Sequence, residues 1–299
     1  MAKRTHRRER GGIFWWIVVG LCLAGYWLAT SPSARREVTT VWNQAKEQFS
    51  LAPTPTGAAE SAGEWSGKFA YAGEPRPQGY PHPLLRLENA GYLVAYDEER
   101  QNPAWAAYRI TDQTLSGDFP RPTRFEVDRR TRALVSHDTY TKSGYDRGHM
   151  APNLAIASRF GEAAQKETFL MSNVVPQNPA LNQGPWRLLE DVLTNRTARL
   201  AQEIWVVTGP VYEGPQEIRV KDGPVVPSAF FCIIVDETEQ GPRIQAFLMA
   251  QTTPRNANFR EYRTSVATIE SLTGLDFEWM LPDGLEKTLE DETAAYWLE

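Results

Sequence analysis

Only four histidines occur among the 299 residues, and histidine is the side chain whose ordinary pKa lies nearest neutral pH. His149 lies within residues 144–153, GYDRGHMAPN, a concentration of charged, imidazole and amide groups that a buried strand would not carry. His149 is therefore a candidate general base, with a hydrogen-bonded structural histidine as the alternative. His82, held between two prolines, is typical of a surface loop. The spacing of His137 and His149 matches no familiar set of zinc ligands.

Cysteine content and charge exclude several classes of protein. The two cysteines exclude a disulfide scaffold and a Cys-rich zinc module. The formal net charge of −5 excludes a protein that coats polyanions by its total charge. A local basic strip is nevertheless present, because residues 121–147 carry seven Lys or Arg against four Asp or Glu. Any contact with nucleic acid would therefore be local.

Three short motifs follow one another along the chain. They are YDRGHMAPN at residues 145–153, FLMSNVVPQ at residues 169–177 and LNQ at residues 181–183. In this order they resemble the DNA/RNA non-specific endonuclease family, the ββα-metal or His-Me finger nucleases that include endonuclease G. The resemblance extends from residues 91–92 to residues 265–275 and so covers most of the chain beyond the first 64 residues.

The resemblance implies an α+β fold of the ββα-metal type, in which a central antiparallel sheet is flanked by helices. It also implies that His149 takes a proton from the attacking water. Hydrolysis of the phosphodiester bond would leave 5′-phosphate ends. The side-chain oxygen of Asn182 would be the only direct protein ligand of one Mg²⁺ ion, for which Mn²⁺ could substitute. A single neutral ligand suits Mg²⁺, because this ion keeps several water molecules and binds substrate phosphate oxygens as well. No organic cofactor is implied.

Further site residues are suggested by the same resemblance. Glu190, on the expected helix, would hold a metal-bound water, and an ordinary exposed glutamate is the alternative. Arg147 and Arg124 are candidates for contacts with phosphate oxygens, whereas a solvated charged surface is the alternative for the strip that contains them. Asn173 would brace His149 or meet phosphate, or else simply cap a turn.

The chain departs from the family pattern at one position of this helix. Secreted relatives carry an arginine one turn after the glutamate, whereas this chain has Thr194 and places Arg196 on a different face. The departure bears on phosphate affinity rather than on metal binding. Asp146 is expected to have a structural role, orienting the turn or Arg147.

Apolar patterns predict the elements that must position these residues. Alternating or continuous apolar runs predict strands at residues 92–96, 105–110, 168–171, 204–208, 229–235 and 245–250. Leucine and tryptophan spacing predicts a helix at residues 186–200, with Pro185 in its first turn. Residues 283–299 carry six acidic side chains against one lysine and are expected to form a solvated acidic tail or helix.

The N-terminal 64 residues carry a different pattern. Residues 1–12 contain five Lys or Arg and are interpreted as a basic cytoplasmic arm. Residues 13–30 are apolar and uncharged, which favours a transmembrane signal anchor in the lipid bilayer over a cleaved signal peptide or a buried core helix. Residues 31–64 resemble a stalk or linker, and residues 65–299 would form the exported endonuclease domain.

These observations predict a membrane-anchored, Mg²⁺-dependent endonuclease that hydrolyses DNA and RNA with little sequence specificity. Its catalytic domain would lie outside the cytoplasm, in a periplasm or an equivalent compartment, and a homodimer is a further expectation from the family. Two alternatives stay open, namely a phosphodiesterase of smaller nucleotides and a catalytically silent tethered nucleic-acid-binding or interaction module.

Overall fold

The computed structural model describes residues 68–117, 119–214, 217–238, 241–281, 283–291 and 293–298. The predicted cytoplasmic arm (1–12), signal anchor (13–30) and stalk (31–64) lie outside these residues. Among the residues described, no helix is long and apolar enough to cross a bilayer. The membrane anchor therefore stays a prediction from the sequence.

Eleven strands of two to ten residues occur in the described part of the chain. They are β1 (Arg76–Pro77), β2 (Leu84–Glu88), β3 (Tyr92–Asp97), β4 (Asn102–Thr111), β5 (Asp146–His149), β6 (Val174–Gln177), β7 (Glu203–Val211), β8 (Ala229–Thr238), β9 (Gly241–Ala250), β10 (Arg263–Thr264) and β11 (Leu275–Asp276). Seven of them form the central sheet in the order β10, β9, β8, β7, β4, β3, β2. The pairs β2–β3, β3–β4, β4–β7, β7–β8 and β9–β10 are antiparallel.

Helices lie between these strands and after the last of them. They are α1 (Asn153–Thr168), α2 (Pro179–Leu181), α3 (Arg187–Val192), α4 (Ala198–Ala201), α5 (Val266–Thr273) and α6 (Asp283–Asp291). Two π-helical turns, Asn182–Trp186 and Leu193–Thr197, join α2, α3 and α4 into one segment. We call residues 179–201 the site helix. It begins where the Asn178 side chain accepts a hydrogen bond from the Ala180 amide (2.8 Å), with Pro179 in the first turn.

The central sheet has a separate core on each face, because successive side chains of a strand point to opposite sides. On β8, Cys232 and Ile234 belong to the front core, which also contains Leu189 of the site helix. Ile233 belongs to the back core together with Ile269 of α5. The site helix and α5 therefore cover opposite faces of one sheet.

Strands β5 and β6 form a separate antiparallel pair that positions the DRGH motif. Asp146 lies opposite Gln177, and His149 lies opposite Val174. The chain then passes from β6 directly into the site helix. Helix α1 connects the two strands of this pair, and the site helix follows the second strand.

The predicted α+β architecture with a central antiparallel sheet is confirmed for the described residues. Five predicted strands are present as β3, β4, β7, β8 and β9. The strand predicted at residues 168–171 is wrong, because these residues end α1 and enter a 3₁₀ turn before β6. Phe169 and Met171 are buried there, and a short buried apolar run does not distinguish a strand from a packed turn.

Two further predictions about helices need correction. The site helix begins near Pro179, and Pro185 lies within its first π-helical turn rather than at its start. The acidic C-terminal stretch forms α6, but residues 293–298 do not form a solvated tail. Leu298 is fully buried in the front core, and its carbonyl oxygen accepts a hydrogen bond from the Thr197 hydroxyl (2.6 Å).

Close packing at the centre of the sheet gives a test of the fold. An added Cβ at Gly209 of β7 would lie 2.5 Å from the carbonyl oxygen of Ala104 and 2.6 Å from the Phe231 ring. We expect Gly209→Ala to lower the free energy of unfolding by about 1–3 kcal/mol, because neither neighbour can move into solvent. Gly284→Ala on α6 is the matched control, since its Cβ would meet open space. Urea denaturation of both variants is the measurement, and equal midpoints would contradict the packing argument.

Candidate active site

Asn173 fixes the residues that follow His149. Its side chain is fully buried and accepts a hydrogen bond from the Ala151 amide (2.8 Å). The side-chain nitrogen donates to the carbonyl oxygens of Ala151 and Thr168, at 3.0 Å each. The Asn173 carbonyl also accepts from the Met150 amide (3.0 Å). Asn173 therefore braces the motif from inside the protein.

Steric crowding explains why the DRGH motif has glycine at position 148. A Cβ at Gly148 would collide with the side chain of Gln177 on β6. Gln177 is fully buried, so that it cannot swing into solvent to make room. Glycine at this position lets β5 lie close to β6, which places His149 at the edge of the strand pair.

A cavity of about 350 Å³ opens beside β5 and the site helix. Its lining includes four of the predicted site residues, which are His149, Arg147, Asn182 and Glu190. Asn173 lies behind the cavity in the position already described. The structure thus brings together most of the residues that the sequence suggested.

The His149 imidazole lies between two phenylalanines. Ring centroids of Phe125 and Phe169 are 5.0 Å and 5.1 Å from the centroid of His149. Its Nε2 atom is buried and has no hydrogen-bond partner among the described residues. Burial, with a smaller contribution from Arg121, lowers the pKa of His149 to about 3. The imidazole is therefore neutral at pH 7, the form that can accept a proton.

Glu190 shows the opposite shift in the same cavity. Burial and then the neighbouring Asp191 raise the pKa of Glu190 to about 8, while Arg121 and Arg187 act in the opposite direction. The carboxyl group therefore retains its proton at neutral pH in the absence of a further positive charge. A cation bound in the cavity would favour the carboxylate form.

Asp146 sets the orientation of the Asn182 amide. The Oδ2 atom of Asp146 accepts hydrogen bonds from the Asn182 side-chain nitrogen (2.9 Å) and from the Gln183 side-chain nitrogen (2.8 Å). Because an ionised carboxylate only accepts hydrogen bonds, it selects the nitrogen and leaves the Asn182 carbonyl oxygen available. Asp146 thus has the structural role expected of it, but its partner is Asn182 rather than Arg147.

One of the two expected arginines lines the cavity. Arg147 lines it and donates to the carbonyl oxygen of His137 through Nη2 (2.6 Å) and Nε (3.2 Å). Arg124 is exposed and pairs with Asp138 (3.0 Å), outside the residues that line the cavity. Arg121 lines the cavity instead, with its guanidinium carbon 5.3 Å from the centroid of the Phe169 ring.

Arg187 is a second cavity residue that sequence reasoning missed. It lies three residues before Glu190 and so on the same side of the site helix. Its Nη1 atom pairs with Asp191 at 2.7 Å. The sequence contained a signal for Arg187, because residues three apart on a helix are neighbours. Arg121 and Arg124 lie in a loop, where no helical spacing indicates which of them lines the cavity.

The donor set of the cavity fits a hard divalent cation. Asn182 offers an amide oxygen, Glu190 offers a carboxyl group that lacks compensating charge, and the Oδ1 atom of Asn153 is buried without a partner among the described residues. All three are oxygen donors, the type that Mg²⁺ prefers, and the cavity leaves room for water.

Comparisons with known proteins agree with this geometry. The family model described as DNA/RNA non-specific endonuclease matches residues 77–284. The chain belongs to this family. The resemblance inferred from the motifs is thereby confirmed, and with it the assignment of the chain to a class of nucleases.

Individual relatives of the chain are named as nucleases. Mitochondrial nuclease EXOG of Danio rerio is 30% identical over 206 residues, which cover 62% of this chain and 58% of that protein. A nuclease of Serratia marcescens is 32% identical over 206 residues, which cover 63% of this chain and 73% of that protein. The chain thus spans little more than half of the zebrafish relative.

A solved structure shares the fold. The crystal structure of an EndoG/EndoGI complex, which concerns the mechanism of EndoG inhibition, superimposes with a TM-score of 0.62. Sequence identity is 23%, and the match covers 75% of this chain and 95% of that chain. Membership in the family carries the expectation of a divalent metal ion, and the oxygen donors of the cavity agree with it.

The low pKa of His149 gives a test of its environment. Between pH 6.5 and about 3 the unfolded chain binds a proton on this imidazole that the folded chain excludes, so that stability falls as the pH is lowered. The wild type should lose more free energy of unfolding between pH 7.5 and pH 5 than His149→Asn does. The expected difference between the two losses is about 1–2 kcal/mol. Urea denaturation of both proteins at the two pH values is the measurement. Identical pH dependence would show that the imidazole is not shielded.

Proposed function

We propose that this family member is a Mg²⁺-dependent endonuclease that hydrolyses phosphodiester bonds of DNA and RNA with little sequence preference. One observation carries the proposal: His149, Asn182 and Glu190 line a single cavity together with Arg121, Arg147 and Arg187. A proton acceptor, oxygen donors for a cation and cationic groups for phosphate are the parts that phosphodiester hydrolysis requires.

His149 is proposed to be the general base that removes a proton from the attacking water. Its neutral form is present at physiological pH because burial lowers its pKa. A bound phosphate would bring negative charge close to the ring and raise this pKa, which makes the imidazole a stronger base when substrate is present. The two phenylalanines at the ring restrict its orientation.

Asn182 would hold the metal ion through its side-chain oxygen, and Glu190 would orient a water molecule at that ion. When bound, Mg²⁺ would supply Lewis-acid stabilisation of the negative charge that develops on the phosphate oxygens. Asp146 keeps the Asn182 amide in the required orientation through the bond to its nitrogen. Glu190 would lose its proton on metal binding, since its pKa is raised only while its charge is uncompensated.

Arg121 and Arg147 are proposed to contact phosphate oxygens. Arg187 already pairs with Asp191. The Arg147 guanidinium donates hydrogen bonds to a carbonyl oxygen and, at 3.4 Å, to the Thr141 hydroxyl. Its carbon lies 5.7 Å from the centroid of the Tyr140 ring, and no carboxylate pairs with it among the described residues. A guanidinium presents several donors that match phosphate oxygens. Contacts of this kind bind the backbone and carry no base information, which supports low sequence specificity.

A polymeric substrate fits the surroundings of the cavity better than a small nucleotide. A second cavity of about 530 Å³ lies between the site helix and the loop at residues 257–260, and Asp191 lines both cavities. The proposed path of a nucleic-acid strand would run from the first cavity past Asp191 into the second. A silent binding module is disfavoured, because it has no use for a neutral buried imidazole beside an uncompensated carboxyl group.

The setting of the enzyme is proposed from the sequence. The basic arm at residues 1–12 and the apolar run at residues 13–30 support a single-pass anchor with the N-terminus in the cytoplasm. The nuclease domain would then act in a periplasm or an equivalent compartment. A homodimer stays a prediction from the family.

The proposed chemistry is tested by a cleavage assay. The full-length chain, purified in mild detergent, should cut supercoiled plasmid and single-stranded RNA with Mg²⁺ and cut neither with EDTA. His149→Ala should lower the rate by about 10²–10⁴-fold, because a general base is lost. Asn182→Ala should require higher Mg²⁺ for half-maximal activity. Circular dichroism confirms that each variant is folded, and cutting that survives His149→Ala would overturn the mechanism.

The choice of arginine is tested separately by Arg121→Ala and Arg124→Ala. The first variant should lower kcat/KM by about 10–100-fold, since a charge-assisted contact to phosphate is removed. Arg124→Ala, which removes the same side chain three residues away, should change it by less than about twofold. A larger effect of Arg124→Ala than of Arg121→Ala would refute the placement.

A further inference from the structure

His137 has no part in the proposed hydrolysis, although it is one of only four histidines in the chain. It is the first residue of a 3₁₀ turn, His137–Tyr140, and its side chain is partly buried. It lies outside the residues that line the cavity with His149. Its hydrogen bonds nevertheless extend to two segments that border this cavity.

The imidazole of His137 accepts a hydrogen bond from a neighbouring loop. The donor is the backbone amide of Phe125, whose nitrogen lies 3.2 Å from Nδ1. A backbone amide can only donate, so Nδ1 carries a lone pair and the ring proton lies on Nε2. Burial, and then Arg147 and Arg124, lower the pKa of this imidazole. Asp138 acts in the opposite direction. The neutral ring that the bond requires is therefore the form present at pH 7.

The next residue of the same loop is held from the other side. The Glu126 amide donates to the carbonyl oxygen of Phe169 (2.9 Å), and the Glu126 carbonyl oxygen accepts from the Met171 amide (2.9 Å). The rings of Phe125 and Phe169 pack with their centroids 4.7 Å apart. The backbone of the loop is therefore fixed between two turns, and the His137 side chain supplies one of the contacts.

Arg121 lies on this loop, four residues before Phe125. It lines the cavity, and residues 121–125 form neither helix nor strand. The position of Arg121 therefore depends on where the loop is anchored. The ion pair of Arg124 with Asp138 holds the loop only weakly, because its side chains are 61% and 68% exposed.

The backbone of His137 holds the other arginine that is proposed to contact phosphate. Its carbonyl oxygen accepts hydrogen bonds from Nη2 (2.6 Å) and Nε (3.2 Å) of Arg147. His137 thus contacts the loop of Arg121 through its side chain and Arg147 through its main chain. A substitution of the side chain changes the first contact and keeps the carbonyl group of the second, so the two effects can be separated.

We propose that His137 is a positioning residue whose Nδ1 atom anchors the loop at Phe125 and so keeps Arg121 in place to contact a phosphate oxygen. This inference rests on the proposed function, in which Arg121 binds the phosphate of a nucleic acid. One hydrogen bond between neutral groups changes a population by a factor of about 3–10. Release of the loop would weaken phosphate binding by about this factor, since only molecules with the loop anchored bind fully.

Hydrogen exchange tests the contact itself in the full-length chain, purified in mild detergent. His137→Phe keeps a ring beside Phe125 but removes the acceptor, so the Phe125 amide should exchange about 3–10-fold faster. His137→Asn offers a side-chain oxygen in place of Nδ1 and should restore the rate to within about twofold of the wild type. Mass spectrometry of peptides that end on either side of Phe125 gives the rate, and circular dichroism confirms that each variant is folded.

DNA binding in EDTA tests the consequence without any cutting. The Kd of a labelled single-stranded oligonucleotide should rise about 3–10-fold in His137→Phe and less than about twofold in His137→Asn. The double variant of His137→Phe and Arg121→Ala should bind within about twofold of Arg121→Ala alone, because His137 acts through Arg121. His137→Phe combined with Arg147→Ala should instead show the product of the two single effects.

His82→Phe is the matched control. His82 also makes a hydrogen bond through Nδ1, to the Asp97 carboxylate (2.8 Å), and it lies outside the residues that line the cavity. This variant should change neither exchange at Phe125 nor the Kd for DNA. A wild type that follows all these expectations but does not cut DNA in Mg²⁺ would contradict the proposed hydrolysis and still support the role of His137, since neither measurement depends on cutting.

Three results would overturn the role of His137. Unchanged exchange at Phe125 in folded His137→Phe would show that the hydrogen bond does not hold the loop. A double variant with Arg121→Ala that shows the product of the two single effects would mean that His137 does not act through Arg121. Equal loss of DNA binding in His137→Asn and His137→Phe would assign the effect to disturbed packing rather than to the acceptor.

Discussion

The bond from Asp146 to the Asn182 side chain connects the two parts of the site. Asp146 begins the strand that carries His149, whereas Asn182 lies on the helix that carries Glu190. His149 and the side-chain oxygens of Asn182 and Glu190 therefore keep one relative position only if the strand pair and the site helix stay together. The buried Asn173 brace and the close contact at Gly148 hold the strand side of this connection.

Before any ligand binds, the pKa values of two side chains in this site are shifted away from their ordinary values. Burial lowers the pKa of His149 and raises that of Glu190, so that both groups are held neutral in a cavity lined by arginines. Phosphate and a divalent cation would reverse both shifts at once, because each brings the charge that one of the two groups lacks. The same desolvation therefore explains why metal affinity without substrate should be weak and why the two ligands should support each other's binding.

Sequence reasoning located those features that depend on local pattern. The apolar patterns of the long strands correctly predicted those strands, and the predicted site residues His149, Asn182 and Glu190 line one cavity. Apart from Arg187, the features that it missed depend on contacts between distant parts of the chain. Arg121, rather than Arg124, lines the cavity, and its guanidinium packs against the Phe169 ring. A loop has no periodic pattern from which this position could be predicted. The partner of Asp146 lies 36 residues away, and short-range spacing gives no information about it.

The division of charge between the two faces of the sheet reconciles an acidic protein with a polyanionic substrate. Arginines line the front cavity, whereas Glu270, Asp276, Glu278 and Glu290 lie behind the sheet. Packed layers are about 10 Å apart, so a front helix and a back helix on one sheet are separated by about 20 Å. That distance exceeds the Debye length of about 8 Å at physiological ionic strength. Carboxyl groups on the back face thus repel a nucleic acid at the front only weakly, and the net charge of −5 does not oppose local binding.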